Sequence, residues 1–200
     1  MPRSSTRAVV ADDSHFMRSV ISDILSEGRI DVVAQAKNGH EAVEAVREHE
    51  PDVVTMDVEM PEMDGIEAVE RIMAQQPTPI LMLSAHTDED ADVTFEALQK
   101  GAVDFFTKPG GEVSMEMSRL KDQLVDIVLS VAEAEPRTEA DVTNADSAAD
   151  VATESYGGQP TLVIGSSTGG PTVVEEVMSS LPLSASLRIL VVQHMPGGFT

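Results

Sequence analysis

The sequence predicts an α/β fold, with a doubly wound five-stranded parallel sheet followed by the N-terminal part of a second α/β domain. Two observations lead to this prediction. Short continuous apolar runs alternate with amphipathic stretches over residues 7–131. After an acidic interruption, one more strand–helix–strand pattern occupies residues 159–200. Continuous apolar strands separated by helices are typical of parallel sheets that are covered on both faces.

Five apolar runs predict the strands of the first domain, at residues 8–11, 31–34, 53–56, 80–83 and 103–106. A helical pattern follows each of them. Polar residues at the helix starts are expected to act as N-caps: Ser14, Asn38, Asp64, and either Asp88 or Glu89. Gly28 and Gly101 are predicted to end the first and fourth helices, and residues 113–131 form the fifth.

The charge is the outstanding feature of the composition. Thirty-five acidic residues face 13 basic ones, which gives a net charge of −22. A field of this sign repels nucleic acid and anionic membranes, so neither is an expected partner. We interpret the acidity as a salt-adapted surface, because the acids are spread along the chain; an acidic docking surface is the alternative.

Cysteine usage and hydropathy indicate the compartment. The chain has no cysteine, which is compatible with a reducing interior. The first seven residues lack the apolar core of a signal peptide, and no apolar stretch approaches 18 residues. We therefore predict a cytoplasmic protein without membrane insertion.

Residues 132–158 separate the two predicted domains. Ala, Glu, Asp, Ser and Thr dominate this stretch, Pro136 interrupts it, and branched apolar residues are scarce. Such a composition predicts an acidic flexible linker between a domain at residues 5–127 and a second unit at residues 159–200.

Acidic residues follow two of the predicted strands of the first domain. Asp12 and Asp13 come after the first strand, and Asp57 and Glu59 after the third. Ligands of open α/β sheets bind at the carboxyl ends of the strands, where these side chains would converge. Because carboxylates repel one another, they need a cation, and oxygen-only ligands favour Mg²⁺.

Two further residues complete the predicted site. Ser84 ends the fourth strand and Lys108 follows the fifth. A carboxylate nucleophile, a metal, a hydroxyl and an ammonium are what formation of an acyl phosphate on Asp57 requires. Each residue alone also has a structural explanation: the paired acids before Ser14 can form a capping cluster, and Lys108 can be a solvated loop residue.

These residues resemble the response-regulator receiver family. The resemblance rests on Asp12-Asp13, on residues 56–65 (MDVEMPEMDG), on Ser84-Ala85 and on Thr107-Lys108-Pro109. It implies a flavodoxin-like fold and phosphorylation of Asp57 by a histidine kinase. It also implies Mg²⁺ ligands from Asp13, Asp57 and the Glu59 backbone carbonyl, with Asp12 acting through water. Ser84 and Lys108 would contact the phosphoryl group, Phe105 would be the aromatic switch residue, and the Lys108–Pro109 bond would be cis.

A second motif occurs in the second unit. Residues 165–169 (GSSTG) fit the G-x-S-x-G nucleophile elbow, in which Ser167 would be exposed on a strand-to-helix turn. A P-loop would need Gly-Lys-Ser/Thr and a dinucleotide loop would need G-x-G, and the chain has neither here. A structural Gly-Ser turn stays open as an alternative. His194 follows the next predicted strand, where an imidazole can reach Ser167, although a structural histidine is the alternative.

The order of these motifs resembles the chemotaxis protein-glutamate methylesterase family. Residues 164–171 (IGSSTGGP) and 193–196 (QHMP) carry the resemblance. It implies hydrolysis of glutamyl methyl esters and deamidation of glutamines on chemoreceptors, with Ser167 as nucleophile, His194 as base and no cofactor. Ser166 stands where the family usually has a small residue. The family's third catalytic residue, an Asp, lies beyond the His-Met-Pro segment, so we expect only the opening part of the catalytic domain here.

The predicted function is therefore a chemotaxis response regulator in which phosphorylation of Asp57 controls a serine esterase. A phospho-acceptor and binding module without catalytic activity is the main alternative. A DNA-binding response regulator is disfavoured by the acidic charge and by the hydrolase-like second unit.

Overall fold

The computed structural model describes residues 5–84, 96–108, 113–134, 161–166, 170–182 and 187–193. Several predicted features lie outside the described residues. They are the start of the fourth helix, the linker beyond residue 134, the Lys108–Pro109 bond, Ser167 and His194.

The first sheet contains five parallel strands in the order β2-β1-β3-β4-β5. The strands are β1 (Arg7–Ala11), β2 (Asp31–Ala36), β3 (Val53–Asp57), β4 (Ile80–Ser84) and β5 (Asp104–Thr107). Every neighbouring pair is parallel, and the register brings Asp57 beside Leu83 and Ser84 beside Thr107. The five-stranded parallel sheet predicted from the apolar runs is thus confirmed.

Helices cover both faces of this sheet, as the doubly wound prediction requires. They are α1 (His15–Glu27), α2 (Gly39–His49), α3 (Gly65–Gln75), α4, described over residues 96–99, and α5 (Val113–Ala132). Alternate residues of β1 face two separate cores. Val9 packs with residues of α2, α3 and α4, whereas Val10 packs with residues of α1 and α5. The period-two alternation of a strand explains why one β1 sequence serves both cores.

The starts of α1, α2 and α3 agree with the sequence predictions. The side chain of Ser14 accepts a hydrogen bond from the Met17 N–H, and Asn38 and Asp64 cap α2 and α3 in the same way. These caps satisfy backbone donors that have no partner within the helix. Each cap therefore also fixes where the chain leaves the carboxyl edge of the sheet.

Two glycines end helices for different physical reasons. Gly101 has a φ of 111°, a conformation that residues with a Cβ rarely adopt. Gly28 has a φ of −75°, and the left-handed residue is its neighbour Arg29, with a φ of 62°. A Cβ on Gly28 would lie 2.6 Å from a methyl group of Val125 on α5. Gly28 is thus required by close helix packing and not by backbone conformation.

The second unit contains a two-stranded parallel sheet and one helix. Its elements are β6 (Thr161–Ser166), α6 (Gly170–Ser180) and β7 (Arg188–Gln193). The register places Val163 beside Leu190 and Gly165 beside Val192, and the three apolar side chains in these pairs are exposed. The strand–helix–strand prediction for this unit is confirmed.

None of the described helices combines the length and apolarity needed to cross a bilayer.

Gly65 makes the closest backbone approach near the carboxyl edge. Its N–H donates to the carbonyl of Val58 at 2.9 Å, which closes the turn after β3. A Cβ at this position would lie 2.0 Å from the backbone oxygen of Asp57. Only a residue without a side chain permits this approach, and the end of β3 therefore depends on Gly65.

The substitution Gly65→Ala tests this contact. We expect it to lower the free energy of unfolding by about 3 kcal/mol, because a Cβ–oxygen clash forces the backbone apart. Urea unfolding followed by circular dichroism measures the change. Ala74→Gly on the exposed side of α3 is the control, since it reports helix propensity alone at about 1 kcal/mol. Equal or greater stability of Gly65→Ala would show that the turn relaxes around the methyl group.

Candidate functional site

Five of the predicted site side chains lie at the carboxyl edge of the first sheet. Asp12 and Asp13 follow β1, Asp57 is the last residue of β3, Ser84 is the last residue of β4, and Lys108 follows β5. Since β1, β3, β4 and β5 are consecutive neighbours in the sheet, these positions adjoin one another.

Three carboxylates converge at this edge. Asp12, Asp13 and Asp57 each place one oxygen within 4.8 Å of the others. Asp12 is fully buried and Asp57 is 7% exposed, whereas Asp13 is exposed. Like charges at this separation repel one another, so the cluster requires a compensating cation.

Lys108 supplies part of that compensation. Its Nζ lies 2.7 Å from Oδ2 of Asp12 and 2.7 Å from Oδ1 of Asp57. The backbone N–H of Lys108 donates to the carbonyl of Ser84 at 2.8 Å, which fixes the start of its side chain. Lys108 is therefore an integral part of the cluster and not a solvated loop residue. Three carboxylates against one ammonium leave an excess of two negative charges when all are ionised.

The carboxyl group of Asp57 titrates unusually. Burial raises its pKa to about 6, and the charges of Asp12 and Asp13 add to this effect. Lys108 opposes the increase but does not overcome it. Removal from water disfavours an ionised carboxylate, and a nearby ammonium offsets only part of that penalty. Asp57 is therefore ionised at neutral pH at a cost in stability.

In the turn after β1, one residue caps α1 and two others belong to the acidic cluster. The Ser14 hydroxyl is the N-cap of α1, and the Ser14 N–H donates to Oδ1 of Asp12 at 2.9 Å. Neither acid caps the helix, so the alternative of a simple capping cluster does not account for Asp12 and Asp13. The carboxylate of Asp12 is held by Ser14 on one oxygen and by Lys108 on the other.

The remaining predicted residues occupy different surroundings. Ser84 is 3% exposed at the end of β4, and Phe105 is buried in the core that includes Ala97 and Leu98. Glu59 has an exposed side chain and lines an open groove of about 530 Å³. Asp13 lines the same groove, which gives the cluster an opening to solvent.

The donor set fits a magnesium ion. Its side-chain ligands are oxygen atoms only. Its excess of two negative charges would be balanced by one divalent cation, and the groove leaves room for water ligands. Mg²⁺ prefers carboxylate oxygens and keeps several waters. Zinc and copper sites would use imidazole or thiolate, and the described cluster contains neither.

The second predicted site is described only in part. Ser166 and Gln193 are paired at the carboxyl ends of β6 and β7. Ser167 and His194 come next in the sequence but lie outside the described residues. The assignment of these two residues as nucleophile and base stays a prediction.

One residue that contacts the first site, Arg18, is not marked by any sequence motif. Nη1 of Arg18 donates to the backbone carbonyls of Asp12 and Asp13. The available signal is its position in α1, four residues after the N-cap, because long helical side chains lean toward the helix N-terminus. No motif marks such a contact, since it involves only backbone acceptors.

The chain belongs to the response regulator receiver domain family, whose model matches residues 8–117. Residues 162–200 match the CheB methylesterase model. In structure, the chain is similar to the response regulator domain of Thermotoga maritima CheB, with a TM-score of 0.61 and 44% identity. That match covers 66% of this chain and 99% of the other.

Two relatives are similar to this chain over both units. A protein-glutamate methylesterase/protein-glutamine glutaminase of Haloarcula marismortui is 66% identical over 97% of this chain. One of Halobacterium salinarum is 58% identical over 98% of it. The chain spans 58% and 56% of the lengths of these two relatives.

The pKa of Asp57 predicts a pH-dependent gain in stability for Asp57→Asn. The folded protein binds a proton at Asp57 more readily than the unfolded chain, because burial raises the pKa from 3.8 to about 6. Ionised Asp57 therefore destabilises the fold progressively as pH rises from about 4 to 6, and fully above that. We expect the stabilisation by Asp57→Asn to be about 2 kcal/mol larger at pH 8 than at pH 4.5.

Urea unfolding in EDTA at both pH values measures this difference. Asp23→Asn on the exposed side of α1 is the matched control, and we expect its effect to be small at both pH values. A stabilisation by Asp57→Asn that does not grow with pH would contradict a raised pKa at Asp57.

Proposed function

We propose that this chain is a chemotaxis response regulator in which a histidine kinase phosphorylates Asp57 and thereby controls a serine esterase. The observation that carries the proposal is the position of Lys108, 2.7 Å from both Asp12 and Asp57, within a receiver fold. The methylesterase match over residues 162–200 and the names of the relatives support the output activity. In this proposal residues 5–127 are the receiver, 132–158 the acidic linker and 159–200 the opening of the catalytic domain.

The phosphoryl-accepting site would include one Mg²⁺ ion. Asp13, Asp57 and the backbone carbonyl of Glu59 would hold it directly, and Asp12 would do so through water. When bound, Mg²⁺ neutralises phosphoryl oxygens and orients them. Asp13 and Glu59 line one groove, which supports their assignment to a common ion.

Asp57 would be the nucleophile. A carboxylate oxygen of Asp57 attacks phosphorus, the N–P bond of a phosphohistidine breaks, and an acyl phosphate forms. This step needs ionised Asp57, and neutral pH lies above its pKa of about 6. The Lys108 ammonium, already beside Oδ1 of Asp57, would pair with a phosphoryl oxygen. The Ser84 hydroxyl would donate to another phosphoryl oxygen.

The phosphorylated state would be transmitted through the receiver core. Phe105, the proposed switch residue, is buried on β5 beside the described part of α4. Lys108 directly follows β5, the strand that contains Phe105. A movement of Lys108 on phosphorylation would therefore be transmitted along β5 to Phe105. Phosphorylation would shift the population toward a state in which the catalytic domain is accessible.

The output reaction would be hydrolysis of chemoreceptor side chains. Ser167 would attack the carbonyl carbon of a glutamyl methyl ester with His194 as general base, and methanol would leave; a glutamine amide would release ammonia. No cofactor is proposed for this step. The partners would thus be a histidine kinase and methyl-accepting chemoreceptors in the cytoplasm. Nucleic acid is not a proposed partner, because a net charge of −22 opposes it.

A phospho-acceptor module without esterase activity is the alternative function. The described contacts of the acidic cluster all lie within the first domain. This favours the alternative, because such a site would need no residue of the second unit to accept a phosphoryl group. Methanol release separates the two proposals.

Phosphorylation of the protein tests the first proposal. With Mg²⁺ and acetyl phosphate, the wild type should gain one phosphoryl group that hydroxylamine removes, and Asp57→Ala should gain none. Intact mass spectrometry measures both. Asp23→Ala, an exposed acid on α1, is the control that should retain full incorporation. Phosphorylation of Asp57→Ala to the wild-type level would refute the assignment of Asp57.

Methanol release from methylated receptors tests the second proposal. In a form of the protein carrying a complete catalytic domain, Ser167→Ala should reduce the rate by about 10³-fold or more, because the nucleophile is lost. Ser166→Ala is the matched control and should retain most of the activity. Demethylation by Ser167→Ala at the wild-type rate would show that another residue is the nucleophile. Release by the 200-residue chain itself would exclude the module without catalytic activity.

A further inference from the structure

Arg18 makes a contact that the proposed phosphorylation chemistry does not use. Its side chain extends from α1 back toward the carboxyl edge of the sheet. One guanidinium nitrogen, Nη1, donates to the backbone carbonyl of Asp12 at 2.7 Å and to that of Asp13 at 3.0 Å. The side chain is half-buried. Both acceptors belong to residues of the acidic cluster.

The three acids of the cluster are held in different ways. Asp12 has a donor on each carboxylate oxygen, from Ser14 and Lys108. Asp57 is the last residue of β3 and pairs with Lys108. The carboxylate of Asp13 is exposed, and within the described part of the chain no side chain or N–H is found bonded to it. Its direction is therefore set by its backbone, whose carbonyl is anchored by Arg18.

We propose that Arg18 is a positioning residue for the metal site, which aims the carboxylate of Asp13 at the cation by fixing the backbone of residues 12 and 13. The inference rests on the proposed Mg²⁺ site. A guanidinium suits this role because it carries several N–H donors in a rigid plane and stays charged. The Ser14 cap fixes the start of α1, and thus the point from which Arg18 reaches the turn.

The charge of Arg18 and its proposed positioning role have opposite effects on Mg²⁺ affinity. A guanidinium beside the cluster repels Mg²⁺, so removing it should strengthen metal binding if the residue acts only through its field. If it acts by positioning Asp13, removing it should weaken metal binding. The sign of the change therefore separates the two roles. A separate measurement of stability without metal shows whether a loss of Mg²⁺ affinity comes from a destabilised fold.

The experiment measures Mg²⁺ affinity of the 200-residue protein by isothermal titration calorimetry at constant KCl. Arg18→Met keeps an unbranched apolar stem and removes the donors. We expect its Mg²⁺ dissociation constant to be about 10-fold higher than that of the wild type, as for other residues that orient metal ligands. The rise in melting temperature on adding Mg²⁺ should be correspondingly smaller. Arg18→Lys should recover part of the affinity.

Arg47→Met is the matched control. Arg47 lies in the last turn of α2, near the opposite edge of the sheet, where it pairs with Glu44. This substitution removes the same charge far from the cluster and should leave Mg²⁺ affinity unchanged or slightly increased. Urea midpoints in EDTA for all variants show whether the fold is retained. If Arg18→Met does not fold, the more polar Arg18→Gln is used, with the same expected loss.

The outcomes distinguish the inference from the proposal on which it rests. Weaker binding by a folded Arg18 variant, with Arg47→Met near the wild type, supports the positioning role. Equal or tighter binding by the folded variant overturns it while the metal site stands. A wild type that binds no Mg²⁺ overturns the metal site itself, and the role of Arg18 with it.

Discussion

The ion pairs of Lys108 are the interaction on which the site depends. Parallel strands place Asp12, Asp13 and Asp57 at one edge, where their mutual repulsion opposes folding. A single ammonium between Asp12 and Asp57 makes this arrangement tolerable, because it is 2.7 Å from each carboxylate. It does not neutralise the cluster. The remaining excess of negative charge is what a divalent cation would neutralise, so the stability of this edge and the proposed metal binding depend on the same electrostatics.

Backbone contacts between neighbouring loops hold the charged side chains in place. The N–H of Gly39, at the start of α2, donates to the carbonyl of Met63, in the turn that follows β3. Gly65 closes that same turn against the carbonyls of Asp57 and Val58. In both cases a Cβ would collide with its neighbours. The close approach of these loops keeps the end of β3 fixed although the groove beside it is open.

The sequence allows most of this fold to be predicted, because the relevant signals are local. Continuous apolar runs mark the strands, and Ser14, Asn38 and Asp64 act as the predicted N-caps. The function of Gly28 could not be read in this way, since it depends on Val125, almost a hundred residues later. Likewise the ion pair between Lys108 and Asp12 joins residues that are 96 positions apart in the sequence. Contacts of this kind follow from strand order, which no single segment encodes.

The surroundings of the three acids give an argument for Asp57 as nucleophile that is independent of any motif. Asp12 is fully engaged by Ser14 and Lys108, and Asp13 is exposed to water. Asp57 is buried with Lys108 at one oxygen, and its pKa is raised to about 6. A carboxylate that holds its proton more tightly is a stronger base and a better nucleophile, provided that it is ionised at the working pH. At neutral pH Asp57 meets both conditions, and the burial that destabilises its ionised form would also favour the proposed phosphorylation.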